Sequence, residues 1–298
     1  MSRLWGGIDA GGTGFKCLIA TGPDQIVAES AVPTTSPEET LAAVRSVFER
    51  CGPSRLAGIG VACFGPVDVR EGSPGHGRIL TTPKPGWSGV DVLGALRPLG
   101  VPLVIDTDVN AAARAERVWG AGRGVTVVAY LTVGTGIGLG FAGGPQGLMH
   151  AEAGHILPRR HPQDDFAGVC PFHGDCIEGL ASGPAMRARW GAPAETLEAS
   201  HRAWEIESWY LAQAVASALL VGAADRVVIG GGVGTSPGLV ERVRRDVARL
   251  IGDYRAVLEP RGGLDVVVAS AGLGRRAGVL GAIRTAQEVL PPMRATPA

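Results

Sequence analysis

Short apolar runs, separated by glycine turns and by amphipathic stretches, set the pattern of this chain. Leu4–Ala10 and Phe15–Ala20 are strand-like runs broken by Gly11-Gly12-Thr13-Gly14, and Ile26–Val32 follows at hairpin distance. The opening segment therefore predicts a three-stranded meander. Ser36-Pro37-Glu38-Glu39 then supplies an N-cap serine, a proline at the first helical position and acids in the first turn. That combination predicts a helix running to about Cys51, before Gly52-Pro53. Leu56–Ala62 reads as an apolar strand leading into the turn Phe64-Gly65-Pro66-Val67-Asp68. Val101–Ile105 reads as a buried strand and Ala111–Trp119 as a helix, ended by the glycine-rich break Gly120–Gly124.

Beyond that break the opening pattern returns. Val125–Val133 predicts a strand, Gly134-Thr135-Gly136-Ile137-Gly138 a turn, and Leu139–Ala142 a returning strand. Two such units, so far apart, point to a duplicated architecture rather than a solenoid array. His201–Ala224 predicts a long helix, Arg226–Ile229 a short strand ending in Gly230-Gly231-Gly232, and Leu239–Ile251 a further helix. A strand over Leu264–Ala269 and a last helix over Ala277–Leu290 follow, with Pro291–Ala298 expected to fray. Strands alternating with helices give the α/β class.

Composition narrows the partners. With 298 residues, 45% of them hydrophobic, the chain can bury a large core and divide into two lobes. Lys+Arg and Asp+Glu are equal at 28 each, with no long run of one sign. That argues against nucleic acid or a membrane surface as the main partner. No signal peptide is visible in MSRLWGGIDAGG, and the run Ala212–Ala224 is too short and interrupted to span a bilayer. Five cysteines without a disulfide-scaffold pattern suit a reducing cytoplasm. Glycine, at 46 residues, is about twice its usual ~7% share, so many positions are expected to need positive φ or close approach.

Three stretches carry candidate chemistry. Asp9-Ala10-Gly11-Gly12-Thr13 offers backbone amides and a hydroxyl to an anion, with a carboxylate that can hold Mg2+ through water. It is not a Walker loop, because G-x-x-x-x-G-K-[ST] is absent and a strand follows. A ligand-free hairpin would explain one copy; the second, at Thr132–Gly138, favours a nucleotide gripped by two. Asp106-Thr107-Asp108-Val109-Asn110 stands where a buried strand ends and a helix begins. An aspartate there is either a helix N-cap or a general base at the carboxyl end of a strand.

The third stretch, Ala151–Ser182, holds Cys170, His173 and Cys176 at C-x2-H-x2-C spacing, with His155 or His161 as a fourth ligand. Such a set suits zinc in a tetrahedral site, against a plainer reading of two buried thiols and a surface histidine. Glu152 and Glu178 flank it, and a fixed loop would hold them as acceptors for sugar hydroxyls.

Together these residues resemble the ROK (repressor, open reading frame, kinase) family of sugar kinases, within the actin-like ATPase superfamily. GIDAGGT and LTVGTGIG resemble its two phosphate motifs, GVACFGPVD its Pro/Gly/Asp loop, and DTDVNAAARAE its catalytic junction. VVIGGGV resembles the adenosine motif and AGLGRRAGVLGA the C-terminal one. TTPKPGW, HPQDDFAGVCPFHGDC, EGLASGP and RARWG look most like the fructokinase branch.

The resemblance implies an actin-like ATPase (ribonuclease H-like) fold, with two lobes built on a duplicated βββαβαβα core. The lobes are expected over 1–118 and 119–298, the latter carrying the zinc-binding loop, with the last helix allowed to pack back on the first lobe. It implies Asp108 as general base and Thr107, Asp108, Glu152, His155, Glu178, Gly65 and Pro66 as sugar contacts. Asp9, Gly11, Gly12, Thr13, Lys16, Thr132, Gly134, Thr135, Gly136, Gly183, Pro184, Gly231 and Gly232 would bind ATP with Mg2+. His155, Cys170, His173 and Cys176 would hold a structural Zn2+, and Pro85 and Trp87 would wall the acceptor site. A cytoplasmic homodimer phosphorylating fructose is the activity implied, with mannose or glucose as other acceptors.

Three departures from the family pattern stand out: Gly14 follows Thr13 where a lysine is common, Leu139 interrupts a glycine pair, and Ala151 and Ala153 replace larger residues. None removes a residue the chemistry needs. A sugar-responsive repressor of the family would carry a helix-turn-helix domain first, and the phosphate motif starting at Gly7 leaves no room for one. A non-catalytic sugar-binding module is disfavoured by Asp108.

Overall fold

The computed structural model describes residues 3–144 and 151–290; the expected fraying of Pro291–Ala298 lies outside them. The chain forms two units, 3–115 with 276–290, and 116–144 with 151–275. In the first, β1 (Leu4–Ala10), β2 (Gly14–Gly22) and β3 (Gln25–Pro33) precede α1 (Pro37–Cys51). Then come β4 (Leu56–Cys63), α2 (Val92–Leu96), β5 (Leu103–Thr107) and the start of α3 (Asp108–Trp119). The sheet runs β3-β2-β1-β4-β5, with β1, β2 and β3 antiparallel and β1, β4 and β5 parallel.

Ser36 caps α1 as its sequence predicts, its hydroxyl accepting the Glu39 N–H at 3.4 Å. Leu41, Val44, Val47 and Phe48 recur at helical spacing and are buried. Burial of such side chains is worth roughly 1.5–3 kcal/mol each, so this face rather than the cap holds α1 in place.

The last helix, α9 (Ala277–Val289), packs on β1, β4 and β5. Gly7 and Gly60 pair in register on adjacent strands, and a Cβ on either would collide with a helix carbonyl, of Val279 and Ala282 respectively. Glycine here serves close approach of a helix backbone to a sheet. Trp87 departs from expectation. It is fully buried, its ring against Phe15 and Phe64 and its Nε1 donating to the Thr35 carbonyl at 3.1 Å. Instead of walling a sugar site it fills the core of this unit.

The second unit opens with the end of α3, then β6 (Val128–Val133) and β7 (Ile137–Ala142). The short α4 (Ile177–Ala181) and α5 (Gly183–Trp190) lead to α6 (Ala203–Leu220), β8 (Arg226–Gly230) and α7 (Leu239–Ile251). A helical turn α8 (Leu264–Val267) and β9 (Val268–Ser270) complete it, and the sheet order is β7-β6-β8-β9. The strand expected over Leu264–Ala269 is corrected here. Gly263, at φ +72, lets the chain coil, and the Val267 N–H returns to the Gly263 carbonyl at 2.9 Å. Only Val268–Ser270 then remains to pair with β8. Val125–Thr126 also stay outside β6.

α6 is apolar around nearly its whole circumference, and Trp204, Ile206, Tyr210, Leu211, Val215 and Leu219 are all buried. α7 packs against it. Glu116, fully buried near the end of α3, accepts N–H groups from Ala121 (2.7 Å), Gly272 (3.1 Å) and Leu273 (2.9 Å). One carboxylate thus closes the glycine break after α3.

Candidate active site and metal centre

The first unit gathers its candidate residues along one edge. Parallel register sets Asp9 beside Ala62 and Ala62 beside Asp106, and sets Ala10 beside Cys63 and Cys63 beside Thr107. The carboxyl ends of β1, β4 and β5 therefore carry Asp9 and the Asp106–Asp108 junction together. The Phe64 N–H donates to the Ala10 carbonyl at 2.9 Å, bringing the Gly65-Pro66 turn to the same edge.

Neither Asp106 nor Asp108 is the helix cap. Thr107 is: its hydroxyl accepts the Asn110 N–H at 3.1 Å. Asp106 is buried in a network of its own. It accepts from the Thr107 N–H (2.8 Å), Asn110 Nδ2 (2.9 Å) and Arg114 Nε (3.2 Å), and Arg114 also pairs with Glu288 of α9. Asp108, half-buried at the first position of α3, accepts its neighbour's N–H, from Val109, at 2.9 Å. A carboxylate near a helix N-terminus is favoured in its charged form. Cys63 lies close by; burial, then the charges of Asp108 and Asp9, push its thiol well up.

The first glycine hairpin closes with Gly11 N–H on the Gly14 carbonyl at 3.1 Å. A side chain at Gly12 would meet nothing. Lys16 stands across from Asp9, Nζ to Oδ2 at 3.4 Å. Burial raises the Asp9 carboxyl, and Lys16 partly opposes the rise. Beneath Asp9 lies Gly278 of α9, where a Cβ would come within 2.7 Å of the carboxylate.

The loop holding Gly65 and Pro66, joined by a cis peptide, is pinned by Asp68. That carboxylate takes hydrogen bonds from Arg70 Nε and Nη2 (2.9 and 3.0 Å) and Ser73 Oγ (2.6 Å), which hold it well below the usual range.

In the second unit His155, Cys170, His173 and Cys176 converge, their ligand atoms all within 4.8 Å of one another. Cys170 Sγ lies 3.8 Å from His155 Nδ1 and 3.7 Å from His173 Nδ1, and Cys176 Sγ lies 3.5 Å from His155 Nδ1. Tetrahedral zinc with bonds of about 2.3 Å to sulfur and 2.0–2.1 Å to nitrogen sets S···N at about 3.6 Å. The donor set therefore fits that ion in both chemistry and spacing. His161 stands elsewhere: its Nδ1 accepts from the Gln163 N–H at 3.2 Å, and its ring meets Trp209 edge-on. Of the two histidines left open by the sequence, His155 joins the cluster.

Cys176 also caps α4, its Sγ accepting the Gly179 N–H at 3.4 Å. Glu178, in the first turn of α4, accepts the Ile137 N–H on Oε2 at 2.9 Å. The second hairpin closes with Gly134 N–H on the Gly136 carbonyl at 2.9 Å. Around it gather other candidate residues. Gly183 N–H donates to the Gly134 carbonyl at 2.7 Å, and Val233 N–H to the Val133 carbonyl at 2.9 Å, drawing Gly231-Gly232 alongside. Gly231 has φ +86, and a Cβ there would strike the Val133 backbone. Glu152 is exposed, and its carbonyl accepts the His155 N–H at 3.0 Å.

Sequence reasoning missed a buried polar group beside the metal loop. Asp164 accepts from Arg189 Nη2 (3.0 Å) and from the Tyr210 hydroxyl (2.6 Å). Arg189 lies over the Phe166 ring, and burial, then Asp164, pushes the Tyr210 phenol up to about 12. Glu207 is fully buried, and neither of its oxygens has a hydrogen-bond partner. The signal available was an aspartate in the loop and a glutamate on an otherwise apolar helix, and neither reveals a partner by spacing alone.

A ROK hexokinase from Thermus thermophilus superposes with a TM-score of 0.72 and 26% identity, over 96% of this chain and 98% of that one. The two sheet-and-helix units are those of the actin-like ATPase fold. The fructokinase of Zymomonas mobilis is 40% identical over 294 residues, spanning 95% of this chain and 96% of that protein. The fructokinase of Streptococcus mutans is 36% identical over 299 residues, spanning 97% and 99%. The ROK family model matches residues 5–289, so on motif, fold and full-length similarity alike the chain belongs to the ROK family.

Proposed function

We propose that this chain is a hexose kinase that moves the γ-phosphoryl group of ATP to fructose, yielding fructose 6-phosphate and ADP. What supports the sugar is the 40% and 36% identity to two fructokinases over nearly the whole length. What supports Asp108 as the base is its place at a strand's carboxyl end, with capping left to Thr107.

In the first unit, Asp108 takes the proton of the acceptor hydroxyl as that oxygen bonds to the γ-phosphorus. The bond from phosphorus to the β–γ bridging oxygen breaks, and its electron pair leaves on ADP. Such a transition state needs positioning and charge stabilisation more than covalent help. Gly11, Gly12, Thr13 and Lys16 are assigned to the phosphates and Asp9 to water-bound Mg2+, which neutralises their charge. Thr107, Gly65 and Pro66 are assigned to the sugar.

In the second unit, Glu152, His155 and Glu178 are assigned to sugar hydroxyls. Thr132, Gly134, Thr135, Gly136, Gly183, Pro184, Gly231 and Gly232 are assigned to the nucleotide. His155, Cys170, His173 and Cys176 would hold a structural zinc, which fixes the loop and takes no part in the chemistry. A homodimer in the cytoplasm completes the reading.

The test is ADP release with Mg-ATP across a sugar panel. The expected order of kcat/KM is fructose, then mannose, then glucose well behind, since each unpaired buried group costs ~1–3 kcal/mol. Glucose clearly ahead of fructose would make this a glucokinase or a mannokinase-like relative. No ADP with any hexose would favour a non-catalytic sugar-binding regulator.

A further inference from the structure

The metal cluster and the second glycine hairpin are not separate features of the second unit. The segment from Cys176 to Gly183 touches the hairpin at both of its ends. Near the start of this segment, Glu178 Oε2 accepts the Ile137 N–H at 2.9 Å. At the other end, the Gly183 N–H donates to the Gly134 carbonyl at 2.7 Å. Gly136 leaves room for the first contact, since a Cβ there would lie 2.7 Å from Glu178 Oε2. On the other side of the cluster, Gly154 presses on the Ile137 carbonyl, where any side chain would collide. The Ile177 N–H donates to the Ile156 carbonyl at 3.0 Å, tying the two sides together.

Cys176 stands at the root of this arrangement. Its sulfur faces His155 Nδ1 at 3.5 Å and also caps the five-residue helix that carries Glu178. A helix that short has no stability of its own, because nucleation costs more than one turn returns. Whatever holds Cys176 and His155 therefore holds Glu178, and through it the hairpin.

We propose that Glu178 is a positioning residue for the nucleotide, coupling the four-ligand metal centre to the phosphate hairpin Gly134–Gly138. The proposal rests on the reading of that hairpin as a nucleotide site. It gives the carboxylate two tasks: Oε2 on the Ile137 amide, which is thereby withdrawn from the phosphates, and Oε1 toward the acceptor. Metal occupancy then sets nucleotide affinity as well as loop stability. By linkage the effect is reciprocal, so bound nucleotide must tighten retention of the metal by the same factor.

The experiment measures AMP-PNP affinity by calorimetry, with Mg2+ and without sugar, on zinc-loaded and chelator-stripped protein. Stripping the wild type, or replacing Glu178→Ala, should each weaken AMP-PNP by about 10-fold, a typical coupling. Stripping the Glu178→Ala variant should add little more. Glu178→Gln, whose amide oxygen still accepts the Ile137 N–H, should stay within about twofold of wild type. AMP-PNP that binds the wild type and is indifferent to both stripping and Glu178→Ala would overturn the coupling. No AMP-PNP binding to zinc-loaded wild type would instead sink the nucleotide reading beneath it. Should Glu178→Ala fail to fold, hydrogen exchange at the Ile137 amide decides. Exchange that speeds on stripping and slows again with zinc supports the coupling, and exchange unchanged by the metal refutes it.

Discussion

The two glycine hairpins begin from similar sequences, Gly11-Gly12-Thr13-Gly14 and Gly134-Thr135-Gly136-Ile137-Gly138, and each closes on its own backbone bond. Their supports differ. The first leans on its own meander: the Thr34 hydroxyl donates to the Gly11 carbonyl at 2.7 Å and the Thr34 N–H to the Thr13 carbonyl at 3.2 Å. Both contacts come from the chain just past β3, a regular sheet element. The second hairpin lacks that neighbour among the described residues and is held by α4, the start of α5 and Gly154. Those pieces are short or irregular and converge on four metal-ligating side chains. A duplicated motif has been stabilised once by hydrogen-bonded strands and once by a loop that a metal would organise.

The largest effect should come from the first side. Asp108→Asn keeps the shape but loses the proton acceptor, so kcat should fall by at least ~10²-fold in a steady-state assay. Metal content and melting temperature should not move. Near-wild-type turnover would mean that the chemistry is not organised around α3.

Cys170→Ser probes the other side. It should lose the metal by elemental analysis and lower the melting temperature by roughly 5–10 °C, the worth of several kcal/mol. Amide exchange should speed in β6 and β7 and stay slow in β1 and β2. Equal loss in both sheets would erase the contrast.

Gly60→Ala is the mirror experiment. Its Cβ meets the Ala282 carbonyl, so α9 must shift away from the sheet at a cost of about 1–3 kcal/mol. Thermal melting should report the loss while zinc stays bound at full stoichiometry. A variant as stable as wild type would show that α9 does not lie in the Gly7–Gly60 groove.

Glu207→Gln should give the smallest change, and its sign depends on pH. Burial raises the Glu207 carboxyl well above the ordinary value, and Arg189 opposes the rise only in part. A raised acid favours the folded state fully below its unfolded pKa and loses that contribution as pH climbs toward the folded one. Replacing it with a neutral amide should therefore raise the melting temperature by about a few degrees at pH 8 and very little near pH 4. A uniform shift across that range would point to packing instead.

Much of the architecture was legible beforehand because its causes are local. Strand–glycine–strand alternation, the Ser36-Pro37 helix start and the apolar helix around Leu211 depend on neighbours within a few residues, and each forms as predicted. The four metal ligands also announced themselves by residue type and spacing, although choosing His155 over His161 needed the fold to bring it within reach. Three readings failed for one reason. Trp87 is core, Thr107 rather than an aspartate caps α3, and Leu264–Val267 coils instead of extending. Each side chain or segment had two acceptable uses, and only the competing partners decided between them.

The sequence alone determined that this chain is an α/β protein with paired glycine hairpins, a Cys/His cluster and an acid at a strand's end, since composition and short-range pattern suffice for these. Tertiary structure alone decided that Gly7 and Gly60 form one groove for α9, that Asp106 is spent on Arg114 and Asn110, and that Glu178 reaches Ile137 forty-one residues away. Contacts between residues distant along the chain carry no periodic signal, because they arise only where packed elements leave two groups within hydrogen-bond distance.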